Sequence, residues 1–420
     1  MSPVPDSRDA LGTILRAAVF LHNNGQSTSM TLVAVQRLSH GLRQPAVLIP
    51  GWSSVSVYDP RDDSRDMLVG EVHPTAVNMR RVTALMRAVD NAELRPLQRD
   101  EIERALDSAG RQPASSNRAF VTACGVGAAA LAVVFGATDP RVIAAIALAA
   151  ALGGLVRRLL ARVSGDALLQ TFSAALIAGV AGAVAGEIGL PAAVGLIAVC
   201  PAMVLVPGPQ ILIGAMDLLA GRMSLALARL GYALLILVVI AVGLVLGLQV
   251  TGQSLPLSSP PTDVPLGLDV LAAGIAAACY PVFFSMPYRL LGWPIAVGMA
   301  AHAVHWWAIT SWHASLPAAA LLACLLAGAA LTPFAYLKQM PFAAVGFAAV
   351  VALVPGMFVF RVVAGFTELA AHPTQQVLLD VMSNAAIAGM TIISMAVGLA
   401  VPSRLRDWYL ARRRPDFGVE

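Results

Sequence analysis

Long apolar stretches separated by short polar or charged connections make up the last three-quarters of the chain. A helix needs about 20 residues to cross roughly 30 Å of hydrocarbon. Suitable segments after residue 118 are residues 119–138, 141–156, 168–186, 190–206, 229–248, 266–285, 290–311, 316–333, 341–360 and 385–401. The pattern predicts a mainly α, polytopic membrane protein with about ten transmembrane helices.

Before residue 118 the pattern is that of a water-soluble domain. Apolar residues recur at helical spacing in four segments, residues 8–22, 29–42, 82–89 and 102–109. β-Branched residues are enriched in residues 46–58 and 67–72, and the polar residues 59–64 between them predict a hairpin turn. We expect a small α+β domain, joined to the membrane region by residues 111–117.

Composition agrees with this division of the chain. Of the 420 residues 58% are hydrophobic and 12% are charged, and the mean hydropathy is +0.74. Soluble domains carry about 25% charged residues, so most of this chain cannot face water. The four cysteines lie in apolar spans without metal-ligand spacing, so neither a metal nor a cofactor is predicted. The polar, acidic N-terminus lacks the pattern of a cleavable signal peptide.

Positive charges concentrate in alternate connections between the predicted spans. They are Arg157, Arg158, Arg162, Arg222, Arg229, Arg289, Lys338, Arg404, Arg406, Arg412, Arg413 and Arg414. By the positive-inside rule, these connections and both termini are cytoplasmic, and Arg361 is the main exception. The formal charge of +4 is therefore attributed to the membrane surface, and nucleic acid is not an expected partner.

A short motif repeats at corresponding places in two sets of five spans. Residues 205–208 and 353–356 both have the sequence Leu-Val-Pro-Gly. An odd number of spans in each half predicts an inverted repeat, an architecture of secondary transporters. The predicted domains are residues 1–117 (cytoplasmic α+β domain), 118–250 (first five-helix half), 251–265 (outer linker), 266–403 (second half) and 404–420 (basic cytoplasmic tail).

The two Pro-Gly pairs are candidates for a substrate site. Proline removes a helical hydrogen bond and glycine permits unusual backbone angles, so each pair opens or ends a helix. Irregular backbone within a membrane is tolerated where it is buried in protein or lines a cavity. Freed amides could then face a carboxylate and freed carbonyls an ammonium group. The alternative is that both pairs mark helix ends at the membrane interface.

Polar residues near these pairs extend the candidate site. The predicted substrate-binding set is Pro207, Gly208, Pro209, Asp217, Pro355, Gly356, Arg361 and Asn384. Asn384 could instead cap the last span. Asp217, Glu368, His302 and His305 are candidates for proton coupling, since buried charges are usually functional and histidine titrates near neutrality. An interfacial location of the two histidines beside Trp306 is the alternative.

A membrane-tethered hydrolase is a second class of function to consider. His73 or the His302/His305 pair could act as an acid or a base. Neither is accompanied by a nucleophile motif or a third metal ligand, so we do not expect an enzyme.

Several motifs resemble those of a known family. They are residues 24–28 (Asn-Gly-Gln-Ser-Thr), 72–74 with 77–79, 205–209 through 217–222 to 228–230, 287–293, and 353–356 with Arg361. With these motifs the chain resembles the threonine/serine exporter family of bacterial inner-membrane transporters over nearly its whole length. Pro209-Gln210 departs from the small or apolar residues expected after the first Pro-Gly, which predicts a different local geometry there.

The resemblance implies a ten-helix exporter that moves threonine, serine or a similar small amino acid outward, driven by the proton gradient. Its implied partners are the small amino-acid substrate, protons and the lipid bilayer, and a homo-oligomer is compatible with the sequence. Some two-chain members of the family are linked to dicarboxylates, which leaves succinate or another dicarboxylate as an alternative substrate.

Overall fold

The protein is described here from a computed structural model, which covers residues 7–62, 66–190, 193–256 and 264–413. Its N-terminal domain consists of the helices α1 (Ser7–Asn23), α2 (Thr28–Gly41), α3 (Met79–Leu94) and α4 (Arg99–Gly110) and the strands β1 (Val47–Pro50), β2 (Ser54–Tyr58) and β3 (Met67–Glu71). The predicted helices of this domain are confirmed. Its core lies where α1 packs against β2 and β3, with Ile14, Val55 and Val57 fully buried.

The sheet is antiparallel in the order β1-β2-β3, so residues 46–58 form two strands where the sequence pattern indicated one. The extra turn falls at Gly51, where an added Cβ would lie 2.5 Å from the Ser54 carbonyl oxygen. A side chain cannot fit at that distance, so the turn requires glycine. The predicted hairpin between β2 and β3 is present, although Asp63 and Ser64 of its turn lie outside the described residues.

The remaining helices form the apolar part of the protein. They are α5 (Asn117–Val134), α6 (Pro140–Leu160), α7 (Ala167–Glu187), α8 (Val194–Met203), α9 (Gly208–Leu219), α10 (Met223–Gln249), α11 (Leu266–Phe283), α12 (Gly292–Trp312), α13 (Leu316–Leu337), α14 (Phe342–Val350), α15 (Gly356–Ala371) and α16 (Gln375–Arg413).

Among the described residues, seven helices are long and apolar enough to cross a membrane: α5, α6, α7, α10, α11, α13 and α16. The number rises to nine if two bent pairs each count as one span. These pairs are α8 with α9, bent by 63°, and α14 with α15, bent by 69°. The predicted fourth span, residues 190–206, ends before Pro207 and omits α9, which the sequence pattern left in a connection. The predicted ninth span, residues 341–360, was drawn as a single helix, which is wrong because Pro355-Gly356 interrupts it. The predicted seventh span corresponds to α12, which has 21 residues but carries two histidines and four tryptophans.

Helices α5–α10 form one set and helices α11–α16 a second set, and corresponding helices of the two sets pack against corresponding neighbours. The third and last helices of each set pack together, α7 with α10 and α13 with α16, and the fourth packs against the first, second and third. Contacts between the sets are reciprocal, since α9 touches α14 while α8 touches α15. The arrangement of helices is therefore repeated within the chain.

Glycines allow the closest helix pairs to form. An added Cβ at Gly247 of α10 would lie 2.5 Å from the Leu176 carbonyl oxygen of α7, and one at Gly179 would lie 2.3 Å from the Leu244 carbonyl. In the second set, a Cβ at Gly398 of α16 would lie 2.9 Å from the Leu321 carbonyl of α13. Small residues let helix backbones approach where lipid provides no hydrophobic drive for association.

We predict that Gly247→Ala destabilises the folded protein in detergent by about 1–3 kcal/mol, the usual cost of overpacking. The clash is with backbone atoms of α7, which cannot rotate away. The apparent melting temperature, followed by size-exclusion chromatography after heating, measures the effect. Gly231→Ala is the matched control on the same helix, because nothing lies within 4 Å of its Cβ position. Equal melting temperatures for the two variants would contradict the close α7–α10 contact.

Candidate functional site

The two Pro-Gly pairs form the same backbone turn. Pro207 has φ −80° and ψ 58°, and Pro355 has φ −78° and ψ 43°. In each turn the glycine amide donates to the carbonyl two residues earlier, from Gly208 to Val206 at 2.9 Å and from Gly356 to Val354 at 2.8 Å. These are inverse γ-turns, and each leads directly into a new helix, α9 or α15.

The proline of each pair leaves a carbonyl without its helical donor. Residue 207 has no N–H to offer the Met203 carbonyl, which would be its partner in a continuous helix. The Tyr280 hydroxyl donates to that oxygen at 3.2 Å, and the Val206 amide donates to it at 3.3 Å. In the second pair, the Val354 amide donates to the Val351 carbonyl at 3.2 Å. The helix breaks are thus satisfied by protein groups within an apolar core.

The two broken helices cross and pack reciprocally. A Cβ at Gly208 would lie 1.8 Å from Phe347 Cε2 of α14, and a Cβ at Gly356 would lie 3.1 Å from the side chain of Met203 of α8. Both glycines are buried. Each Pro-Gly pair thus lies inside the protein, where one broken helix passes the other.

Pro209 and Gln210, the departure noted in the sequence, do not disturb this geometry. Pro209 is in the first turn of α9, where the missing N–H is harmless. Gln210 donates through Nε2 to the Thr75 carbonyl of the N-terminal domain at 3.1 Å. The start of α9 is therefore in contact with that domain.

A small cavity lies beside the crossing, between α9, α14 and α16. Its volume is about 40 Å³, and its lining, which includes Gly208, Leu212, Phe347 and Met395, is apolar. A cavity of about that size holds at most two or three water molecules. In this conformation, the crossing is closed to a ligand of amino-acid size.

Asp217 is the centre of a buried ionic cluster at the far end of α9. Its Oδ2 accepts from Thr28 Oγ1 at 2.9 Å and from Arg229 Nε at 3.1 Å. Its Oδ1 accepts from Arg222 Nη1 at 3.1 Å. Asp217 and Arg229 are 2% and 1% exposed, so the pair is buried between α9, α10 and α2. Arg229, which the sequence pattern placed in a loop, is an interior residue of α10.

The cluster continues through Arg229 to His22 of α1 and Trp52. Arg229 Nη2 lies 3.2 Å from His22 Nε2, and since a guanidinium only donates, Nε2 accepts and the imidazole is neutral. Burial and the positive charge of Arg229 lower the pKa of His22 from 6.5 to about 3. The unfolded chain binds this proton more readily, so the domain loses stability as the pH falls from 6.5 towards 3.

The N-terminal domain also contacts the second set of helices. The Met79 amide donates to the Phe284 carbonyl at 2.8 Å, and the Ser115 amide donates to Ser285 Oγ at 3.0 Å. Arg37 donates to the Tyr336 hydroxyl at 3.3 Å. The domain therefore bridges both halves at one end of the helix bundle.

His302 forms a second buried pair, with Asp269 of α11. Its Nδ1 lies 3.0 Å from Asp269 Oδ2, and the two residues are 2% and 6% exposed. The His305 ring centroid is 5.9 Å from that of His302, and Trp306 Nε1 donates to the Val264 carbonyl at 2.8 Å. His302 is therefore buried in the protein, although the sequence pattern favoured an interfacial position.

The other candidate residues lie apart from these two pairs. Arg361 is buried in α15, where its guanidinium lies 5.8 Å from the Phe358 ring centroid. Asn384 is nine residues inside α16 and donates to the Asp380 carbonyl at 2.7 Å, so its interpretation as a helix cap is wrong. Glu368 is half-exposed and lies 3.2 Å from His372.

His73 and the metal-ligand types are the remaining residues that bear on the hydrolase alternative. His73 is exposed, with Nε2 3.5 Å from Glu71 Oε1. The described residues contain no group of three or more histidine, cysteine or acidic side chains that could hold a metal ion.

Sequence reasoning missed Asp269, Thr28 and Phe347. A lone aspartate in an otherwise apolar span was a usable signal, since such residues are rare and usually paired. Thr28 was noted only as part of the motif at residues 24–28, and Phe347 carried no signal, because the roles of both come from long-range contacts with Asp217 and Gly208.

Comparison with known proteins gave matches to two family models. The model for threonine/serine exporters matches residues 12–251, and a second model, described as "Threonine/Serine exporter, ThrE", matches residues 269–405. Neither the curated proteins nor the solved structures gave a match.

We predict that Asp217→Asn lowers the stability of the folded protein by roughly 3–5 kcal/mol, because it leaves the Arg229 charge buried without its partner. The apparent melting temperature in detergent and the rate of proteolysis within residues 111–116 measure the loss of domain docking. Adding Arg229→Gln should recover part of the stability, since the buried charge is then removed.

Asp139→Asn is the control for this prediction. Asp139 pairs with Arg141 at 2.8 Å on the surface, and asparagine keeps the helix cap, so no measurable change is expected. If Asp217→Asn proved as stable as Asp139→Asn, the buried cluster would not hold the domain in place.

Proposed function

This chain belongs to the threonine/serine exporter family, and we propose that it is a secondary transporter exporting threonine, serine or a similar small amino acid. We place it in the bacterial inner membrane with both termini in the cytoplasm, as the distribution of arginine indicates. The N-terminal domain then covers the cytoplasmic end of the helices.

Ten crossings and an inverted repeat are part of this proposal. Seven long helices, two bent pairs and α12 add up to ten segments. Five segments in each set give the two sets opposite orientations across the membrane. The repeated order of neighbouring helices and the reciprocal contacts between the sets support this arrangement.

The observation that carries the proposal is the crossing of two matched Pro-Gly breaks. Discontinuous helices meeting between two repeats form the substrate sites of several transporter folds. We propose that the site lies at Pro207-Gly208-Pro209 and Pro355-Gly356. The N-termini of α9 and α15 would face the carboxylate, and carbonyls of the two turns the ammonium group. Asp217, Arg361 and Asn384 lie on the adjoining helices α9, α15 and α16.

Substrate entry requires the crossing to open, because the present cavity is only about 40 Å³. The domain contacts at Gln210, Phe284 and Ser285 would have to loosen for access from the cytoplasmic side. Proton-motive force is the proposed energy source. A dicarboxylate would need cationic side chains at the cavity, whose apolar lining gives that alternative less support.

We predict that proteoliposomes containing the protein exchange internal threonine for external labelled threonine or serine. The proposed site matches the carboxylate and ammonium of a small amino acid, so alanine, which has both groups, should also exchange, whereas succinate, which lacks the ammonium, should exchange only at the rate of empty liposomes. A counterflow assay with these four compounds measures the selectivity. Exchange of succinate but not threonine would favour the dicarboxylate alternative and overturn the proposed substrate.

We predict that Pro207→Ala and Pro355→Ala slow threonine efflux by roughly ten- to a hundredfold, the size of effect that misplacing a preorganised group by about 1 Å can have. Alanine restores the N–H that a continuous helix needs, so α8 and α9, or α14 and α15, tend to straighten. Efflux from loaded cells is measured at matched amounts of inserted protein.

Pro317→Ala is the control for these two variants, because Pro317 is in the ordinary first turn of α13. It should leave efflux unchanged. Normal efflux in both Pro207→Ala and Pro355→Ala would exclude the crossing as the transport site.

A further inference from the structure

The His302–Asp269 pair has a defined donor arrangement. A carboxylate at neutral pH only accepts, so His302 Nδ1 donates to Asp269 Oδ2 across the 3.0 Å contact. The second ring nitrogen, Nε2, is buried and has no hydrogen-bond partner among the described residues. Nε2 is therefore the atom at which this pair gains or loses a proton.

The charge of the pair depends on that proton. With Nε2 protonated, imidazolium and carboxylate form a neutral ion pair, whereas without it the site carries one buried negative charge. An isolated buried charge is much costlier than a paired one. The pair with Nε2 protonated is thus suited to a closed interior without water. The pair without that proton requires access to water or to a cation.

We infer that the His302–Asp269 pair is the binding site for the proton that drives export, and that His302 Nε2 holds it. This inference rests on the proposed function. It names the proton site of the transporter and adds to His302 a partner, Asp269, that lies 33 positions away in the sequence.

No other charged group among the described residues is placed to neutralise the pair. The elements packed against α12 are α11, α13, α14 and the turn Tyr288–Leu290. α14 has no titratable side chain, and the turn lies at the opposite end of α12, about 15 Å from His302 at 1.5 Å per residue. His305 faces the pair from α12 itself, and Tyr336 of α13 is engaged with Arg37.

The other two candidates for the proton are less suitable. Asp217 already accepts from Thr28, Arg222 and Arg229, so both of its carboxylate oxygens have partners. Glu368 is half-exposed, and a proton there would exchange with solvent whatever the conformation of the transporter. Of these three candidates, only the His302–Asp269 pair combines burial with an unpartnered titratable atom, His302 Nε2.

The pair is also close to the moving part of the proposed mechanism. Gly298, one turn before His302 on α12, lies against α14, where an added Cβ would be 2.8 Å from the Ala349 carbonyl oxygen. α14 is the first arm of the second broken helix and carries Phe347 to the crossing. A proton gained or lost at His302 therefore changes the charge on the face of α12 that packs against α14, the helix that carries Phe347 at the crossing.

The test uses the full chain in proteoliposomes with a pH-sensitive dye inside. Threonine exchange without a pH gradient and the proton flux that accompanies net threonine movement are measured in parallel. In His302→Gln and Asp269→Asn, proton flux should fall by about tenfold or more, because amide side chains do not titrate. Exchange should stay within about twofold of the wild type, since exchange needs no net proton transfer.

Two further variants sharpen the comparison. The double variant His302→Gln/Asp269→Asn retains a hydrogen-bonded pair without buried charge, so it covers the case in which a single substitution prevents folding. His313→Asn removes an exposed histidine at the end of the same helix, and asparagine tolerates its left-handed backbone. It should match the wild type in both assays.

The possible results separate this inference from the proposed function. Wild-type proton flux in the folded double variant, or parallel loss of exchange and proton flux, would overturn the proton site. Threonine exchange without proton flux in the wild type would overturn it as well, while the proposed exporter stands. Absence of threonine exchange in the wild type would overturn both.

Discussion

Every backbone polar group within an apolar core needs a partner, and the central part of this protein is arranged around two places where a helix cannot supply one. At Pro207 the missing amide leaves the Met203 carbonyl to Tyr280 and Val206, and at Pro355 the Val351 carbonyl is taken by Val354. The first break also needs glycine, because Phe347 of the second half occupies the space of a Cβ at Gly208. The first break is therefore stable only when the second half, which supplies Tyr280 and Phe347, is packed against it. The interior of one half depends on the presence of the other.

The N-terminal domain adds a second dependence between distant parts of the chain. Its contacts reach Asp217 and Arg229 in the first half and Phe284, Ser285 and Tyr336 in the second. Asp217 and Arg229 are costly to bury, and Thr28 and His22 satisfy their remaining hydrogen-bonding groups. The buried charges thus favour one docked position of the domain. A domain that contacts both halves at one end resists their separation there and leaves the other end free of this constraint.

The sequence was sufficient for the apolar segments, the soluble domain and the repeated Pro-Gly motif, because these follow from local composition and periodicity. The second helix of each bent pair was not recognised, since α9 fell in a predicted connection and the start of α15 was joined to α14. Hydropathy does not register bends of 63° and 69° between apolar helices. Asn384 was misplaced for a related reason: α16 starts at Gln375, in a polar stretch where hydropathy gives no signal. Partners such as Thr28 for Asp217 or Asp269 for His302 could not be derived, because 189 and 33 residues separate them and only the fold brings them together.

The two halves share the arrangement of their helices, but their charged side chains do not occupy corresponding positions. Asp217 lies nine residues after Gly208, whereas the residue nine after Gly356 is Gly365. His302 is the eleventh residue of α12, and the eleventh of α6 is Ala150. Two halves with matching packing can exchange conformations at similar energy, which gives an inward- and an outward-facing state. Different charges in the halves make those states unequal, because the Asp217 cluster stabilises closure at the domain end, while His302 and Asp269 form the proposed proton site. A direction of transport can therefore arise from side chains that break the symmetry of the backbone.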